Sequence, residues 1–390
     1  MIISITSIYY FAIVLKFIQI FFLYTYFNTI ILGPLNNFIC GPLGTITVLL
    51  LLFKLLLDLR NGLVPKIVAL IVCLVTPIIY VSSMNSLSED LLWILLLIVS
   101  AKTVSPMTLA KTILYTCVVG YVITVTAALS GIIPNDYMIM IGSKGEVIFR
   151  WFLGFIHCNI LGTMTMLIFY CWLFVRYERL SILDYVGFLL LFSITFFAAH
   201  SRTSSYIMVL ALLMKWLVSR NNANIRKKLL KIIMILVVAV SIFMTVFYNP
   251  GNQIMVTISE AFTGRFEFAN DAYKAYGITL FGQILKVTFG QYGTGDVTLV
   301  VDNSFAYMLI TFGIIPSLVV LWYYFSNIEW LADTEQIAAM LILFMCFVSG
   351  ISEGMVYSSN FNIGLYIIAP MQYSRIIYAK SKRNMLSLKG

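Results

Sequence analysis

Few side chains in this sequence can stabilise a leaving anion or take up a proton, and they fall in a handful of places. Phe149–Asn159 reads FRWFLGFIHCN. Arg150, Gly154 and His157 follow one another at i, i+4 and i+7, which puts them on one face if the segment is helical. His157 would then lie about 10 Å along the axis from Arg150, below the membrane surface. Gly154 between them leaves room for a close approach to the backbone. A snorkelling arginine with a packed histidine fits the same spacing, and Asn159 falls on another face, suited to bonding a neighbouring helix. At Ala198–Leu212, Arg202 sits at the expected start of a helix beside Ser201, Thr203, Ser204 and Ser205. Free amides, a positive dipole end, a planar guanidinium and hydroxyls together suit a phosphate or diphosphate. An ordinary Ser/Thr cap with a headgroup arginine is the alternative.

The remaining candidates lie in or next to residues 249–303, which carry Glu260, Arg265, Glu267, Asp271, Lys274, Lys286, Asp296 and Asp302 among recurrent glycines. A connection this long is usually functional. Glu260–Gln283 reads as one amphipathic helix ending near Gly277, with Arg265 near its start, placed to join Arg202 on one diphosphate. Gly290–Asp296, GQYGTGD, lacks the GK[ST] of a phosphate loop and reads as a turn. Asp302 and Asn303 open the next apolar run, as a helix cap or as a sugar-binding pair. Glu353 lies at the end of a later run. Ionisable groups at membrane depth are costly and are functional candidates by default.

The elements that must position these residues are membrane helices. Of 390 residues, 61% are hydrophobic and 11% charged, too few charges to coat a soluble surface. Apolar runs of about 20 residues recur from end to end, unlike the short alternating segments of a β-barrel. The expected fold is an all-α polytopic membrane protein, a single integral membrane domain over 1–390 with one long extracytoplasmic loop at 249–303 containing an amphipathic helix. About twelve transmembrane spans are predicted at 3–30, 38–58, 63–83, 89–104, 107–131, 149–175, 181–199, 203–219, 229–248, 303–325, 336–352 and 361–378. The N-terminus lacks a basic n-region and a small-residue cleavage site and reads as the first span, not as a signal peptide.

Orientation follows the basic residues. Arg220, Arg226, Lys227, Lys228 and Lys231 mark one cytoplasmic loop, and Arg176 with Arg179, Lys54 with Arg60 and Lys66, and Lys102 with Lys111 mark others. The tail with Lys380, Lys382, Arg383 and Lys389 is cytoplasmic as well, so both termini are. Lys144 fits less well, being outside. The net charge of +9 belongs to this topology and not to nucleic acid. The six cysteines form no disulfide framework or CxxC pattern, and two histidines with no DxD pair make no metal centre. No Walker motif or Ser-His-Asp order is present, which points away from an ATPase and from metal-dependent sugar-nucleotide transfer.

Four pieces in order resemble the O-antigen and capsule polysaccharide polymerases (Wzy type) within the O-antigen ligase-like superfamily: R-x-x-x-G-F-x-H-x-N at Arg150–Asn159, SRT at Ser201–Thr203, GR followed by LFG at Gly264–Gly282, and DNS-x-x-x-x-L-x-x-x-G at Asp302–Gly313. The first half matches only as generic hydrophobic helix, and Cys158 stands where such segments often have proline. The resemblance implies a glycosyltransferase in a bacterial cytoplasmic membrane. It would join undecaprenyl-diphosphate-linked oligosaccharide repeats into capsule, O-antigen or exopolysaccharide at the outer face, with no cofactor. Partners would be the lipid-linked repeat, the bilayer, and the chain-length regulator and flippase of the same pathway. Arg202 and Arg265 would stabilise the departing diphosphate. His157 or Glu353 would take the acceptor proton. Arg150 would bind a phosphate or orient His157.

Two alternatives remain at this level. A ligase would move the glycan from the same lipid to another acceptor. A flippase or transporter for the lipid-linked repeat should line both halves of the bundle with charge, whereas here the unusual charges concentrate on one expected side.

Overall fold

The computed structural model describes residues 4–28, 36–62, 66–141, 145–285 and 301–375. The helices are α1 (Ile5–Tyr24), α2 (Asn36–Arg60), α3 (Lys66–Ser86), α4 (Asp90–Val99), α5 (Pro106–Leu129), α6 (Cys158–Arg176), α7 (Ile182–Ser193), α8 (Arg202–Arg220) and α9 (Ala223–Phe247). They continue as α10 (Gln253–Ala261), α11 (Arg265–Tyr276), α12 (Ser304–Tyr307), α13 (Ile314–Asp333), α14 (Ile337–Ser349) and α15 (Ile363–Ile368). Strands β1 (Tyr137–Ile141) and β2 (Val147–Trp151) form an antiparallel hairpin between α5 and α6 in sequence. Six helices among the described residues are long and apolar enough to cross a membrane: Ile5–Tyr24, Cys40–Arg60, Val68–Ser86, Pro106–Leu129, Cys158–Arg179 and Ala223–Phe247. By length and composition this is a helical membrane protein.

The chain folds as two compact units. The first takes Met1–Pro65, Leu96–Leu213 and Leu365–Gly390; the second takes Lys66–Leu95 and Met214–Gly364. In the first, α1 packs on α2 and α5, and α5 on α6. The core of α6 is buried almost all round, from Leu161 to Phe174. In the second, α9 packs on α11, α13 and α14.

The structure corrects several sequence expectations. The run 149–175 is not one helix. Its first residues form β2, and α6 starts only at Cys158. Arg150, Gly154 and His157 therefore do not share a helix face. Gly154 instead holds a left-handed φ of 86°, where a Cβ would stand 2.9 Å from the Thr124 carbonyl oxygen and 2.8 Å from Ile133. Close approach is its role, and the neighbour is α5. The run 303–325 is broken as well: a π-helical turn at Met308–Phe312 follows α12, and the chain restarts at Ile314 after Gly313. The run 181–199 ends in a second π-helical turn, Ile194–Ala198. Of 361–378, α15 covers Ile363–Ile368. Hydropathy registers apolar residues and is blind to where the backbone stops being a helix.

In 249–303, two short helices stand where one was expected. Left-handed Thr263 and Gly264 separate α10 from α11, and α11 does end at Gly277. The phosphate-loop-like Gly290–Asp296, together with Lys286, Lys144 and the tail lysines, lies outside the described residues.

Candidate functional site

The candidate residues form two groups, one in each unit. In the first unit the hairpin decides where Arg150 points. Side chains alternate along a strand, and β2 alternates in exposure, with Ile148 and Arg150 on the more buried face. Cross-strand contacts of Tyr137 with Phe149 and Trp151 hold the register. Arg150 donates from Nε to the Ala199 carbonyl at 3.2 Å and from Nη2 to Asn159 Oδ1 at 2.6 Å. Two of the five guanidinium donors are thereby committed, and both acceptors are neutral. Asn159 does not bond another helix, as its position suggested, but orients Arg150.

His157 is the N-cap of α6, and its Nδ1 accepts the Asn159 backbone N–H at 3.1 Å. A neutral ring in that bond carries its proton on Nε2 and so presents a donor, the wrong form for a base at that atom. Arg202 is the first residue of α8 and is exposed. Ser201, Ser204 and Ser205 beside it are buried and bonded among themselves and to Thr195. They build the turn, with the Ser201 and Ser205 hydroxyl protons committed within it.

His200, which the sequence places with Ser201 and Arg202 at the turn between the seventh and eighth predicted spans, joins this group. Its φ is 44°, a left-handed value that is uncommon outside glycine. Burial, then the positive charges of Arg150 and Arg202, hold its pKa below the usual value. Arg150 and Arg202 thus put positive charge around one helix start, with His200 held neutral between them, and no carboxylate pairs with either arginine among the described residues. Such an arrangement suits an anion with several oxygens.

The second group centres on Arg265, which is 6% exposed. It faces two carboxylates: Nε lies 3.3 Å from Asp302 Oδ2, and Nη1 lies 3.1 Å from Glu353 Oε1. Among the described residues one cation here meets two anions. The tripeptide Asp302–Ser304 assembles it. Asn303 caps α12 by accepting from the Phe305 and Ala306 amides, each at 3.0 Å. Its Nδ2 donates to Ile351 O and Ser241 Oγ. Ser304 donates to Glu353 O at 2.7 Å and accepts from Val356 N. The cap and the Glu353 turn are therefore one unit of hydrogen bonds. Asn303 is fully buried, so it acts as a cap and offers no surface to a sugar. Asp302 keeps 38% of its side chain exposed, and Glu353 keeps 12%.

A missed signal could have found the hairpin. YMIMIGSKGEVIFRW carries two β-rich runs around a Gly-containing turn, the pattern of a hairpin. Nothing comparable announces the Arg265–Glu353 pair, which is 88 residues apart in sequence. No group of three or more His, Cys, Asp or Glu side chains suited to a metal occurs among the described residues. Compared with protein-family models, with curated proteins and with solved structures, the chain matches none.

Proposed function

We propose that this protein is a polysaccharide polymerase that joins undecaprenyl-diphosphate-linked oligosaccharide repeats at the outer face of a bacterial cytoplasmic membrane. The carrying observation is the unneutralised positive group at the start of α8. Arg150 and Arg202 both bear on His200, with neutral or no partners among the described residues. Charge of this kind at the end of an apolar helix fits a lipid-borne diphosphate better than a neutral glycan. On this reading Arg150 and Arg202 bind the diphosphate and stabilise the charge that builds as the bond to the sugar breaks. The α8 N-terminus adds its dipole.

The second group takes a different part. Arg265 is already paired twice, so it serves as the residue that orients Glu353, not as a diphosphate ligand. Glu353 takes the proton of the acceptor hydroxyl. His157 is the weaker choice because its Nδ1 is spent on the α6 cap. The topology that goes with this reading has about twelve crossings and cytoplasmic termini.

The test is the lipid-linked glycan profile of cells lacking the protein, resolved by size and leaflet. Single repeats accumulating on the outer leaflet support a polymerase. Long lipid-linked polymer that never reaches its acceptor means a ligase, and single repeats held on the inner leaflet mean a flippase. In the complemented strain, Arg202→Ala should lower polymer formation on the order of a hundredfold with normal insertion.

A further inference from the structure

At the opposite end of the second unit's longest helix stands a buried cation that the proposed reaction does not use. Arg226 occupies the first turn of α9 and is 5% exposed. Its Nε is enclosed and has no hydrogen-bond partner among the described residues, and no ion pair there includes it. The nearby carboxylates are engaged elsewhere. Asp333 takes Lys227 at 2.9 Å and Glu329 takes Lys231 at 3.2 Å. Arginine cannot shed its proton to escape burial, so a guanidinium this buried, with its Nε unpaired, is stabilised by an anion at its remaining donors. On α13, which packs against α9, the Trp330 indole N–H is likewise buried without an acceptor.

We propose that Arg226 and the N-terminal turn of α9 form a binding site for a phosphate group, carried by an anionic lipid headgroup or by a soluble phosphate compound. The backbone is prepared for it. Asn222 caps the helix through the Ile225 amide, and the Ala223 and Asn224 amides precede the helix's own hydrogen bonds. Lys227 and Lys231 pair with Glu329 and Asp333, which leaves the positive charge of Arg226 uncompensated among these residues. Depth agrees too. At 25 residues α9 is about 37 Å long, more than the apolar core needs, so its first turn reaches headgroup level. Basic clusters at that level attract anionic lipids.

The test uses the purified full-length protein. Its thermal midpoint is followed in detergent against inorganic phosphate at matched ionic strength, and in nanodiscs of phosphatidylcholine with and without phosphatidylglycerol. The wild type should be stabilised by at least one of the two, and Arg226→Met by neither. A response to phosphatidylglycerol alone identifies a lipid headgroup, and a response to inorganic phosphate identifies a soluble ligand. Arg226→Lys keeps the charge if Arg226→Met does not fold. It loses the planar fork and should bind roughly tenfold more weakly. Lys274→Ala removes an exposed charge from α11, at the other end of α9, and should leave the response in place. A wild type indifferent to both probes, an Arg226→Met that responds as the wild type does, or an Arg226→Lys of undiminished affinity overturns the proposal.

Discussion

His200 shows how much of the chemistry at the start of α8 is set by three side chains. Burial and the charges of Arg150 and Arg202 all oppose its protonation. Its folded pKa is therefore below the unfolded one, and the unfolded chain binds the proton first as pH falls. The associated stability is complete above the ordinary histidine value near 6.5 and is lost as pH drops from there through the folded pKa. His200→Asn, which tolerates the left-handed backbone, should flatten the decline in thermal midpoint between about pH 7 and about pH 5. An unchanged slope would remove His200 from this group. The paired arginine behaves differently. Arg265→Met removes the cation that Glu353 and Asp302 both reach, at a cost below the about 3–5 kcal/mol of a fully buried pair because Asp302 is 38% exposed. Glu353→Gln should cost less, since Arg265 keeps Asp302, while still abolishing polymer if Glu353 is the base. Equal destabilisation by the two, read from denaturant midpoints, would contradict the pairing. Arg202 could be read from the sequence because Ser/Thr-rich helix starts have a local signature. Arg265 could be read only as a charge, because its partners come from segments 37 and 88 residues away.

At the scale of elements, the breaks matter more than the helices. Gly313 interrupts what hydropathy reads as one span, and a break at membrane depth must have its backbone groups satisfied from within the protein. The segment Thr279–Gln283 does this: Gln283 N donates to Thr311 O at 3.0 Å, Ile314 N to Thr279 O at 3.0 Å and Ile315 N to Leu280 O at 3.1 Å. The approach needs glycine on both sides. A Cβ on Gly282 would stand 2.2 Å from Thr311 O, and one on Gly313 would stand 2.4 Å from Gly282 N. The glycines of the LFG and DNS motifs, distant in sequence, are thus one packing contact. Gly282→Ala must separate the two backbones and also carries a left-handed φ of 91°. That strain alone is worth about 1–2 kcal/mol. It should lower the thermal midpoint and loosen the α12 cap, visible as faster amide exchange at Phe305 and Ala306. Wild-type exchange there would mean that the break is held by other contacts. The sequence marked these glycines but not their pairing, just as it marked the residues of β2 but assigned them to a helix. Periodicity identifies long elements well; an apolar strand of five residues beside an apolar helix offers it too little length.

For the whole molecule, composition was enough to place the chain among helical membrane proteins, because too few charges exist to cover a soluble surface. The number of crossings was not legible in the same way. Several apolar runs turn out short or interrupted, as Ile182–Ala198 and Ile337–Ser349 are. Sidedness is therefore best read from α9, which is long, apolar and unbroken. Its N-terminal end carries Lys227, Lys228 and Lys231, with Lys227 and Lys231 paired to the end of α13. Its C-terminal end holds α11: Asn270 donates to Thr245 O at 2.9 Å, and Phe266 is buried with Met244 and Tyr248. Arg265, Asp302 and Glu353 thus belong to the end of α9 opposite its lysines. Basic residues are retained on the cytoplasmic side, so a reporter inserted near Lys228 should be cytoplasmic and one near Gly277 external. Reporters in one compartment would mean that α9 does not cross the membrane. Exchanged compartments would put the Arg265 group in the cytoplasm, where no lipid-linked acceptor awaits on the outer leaflet, and the polymerase reading would fall with it.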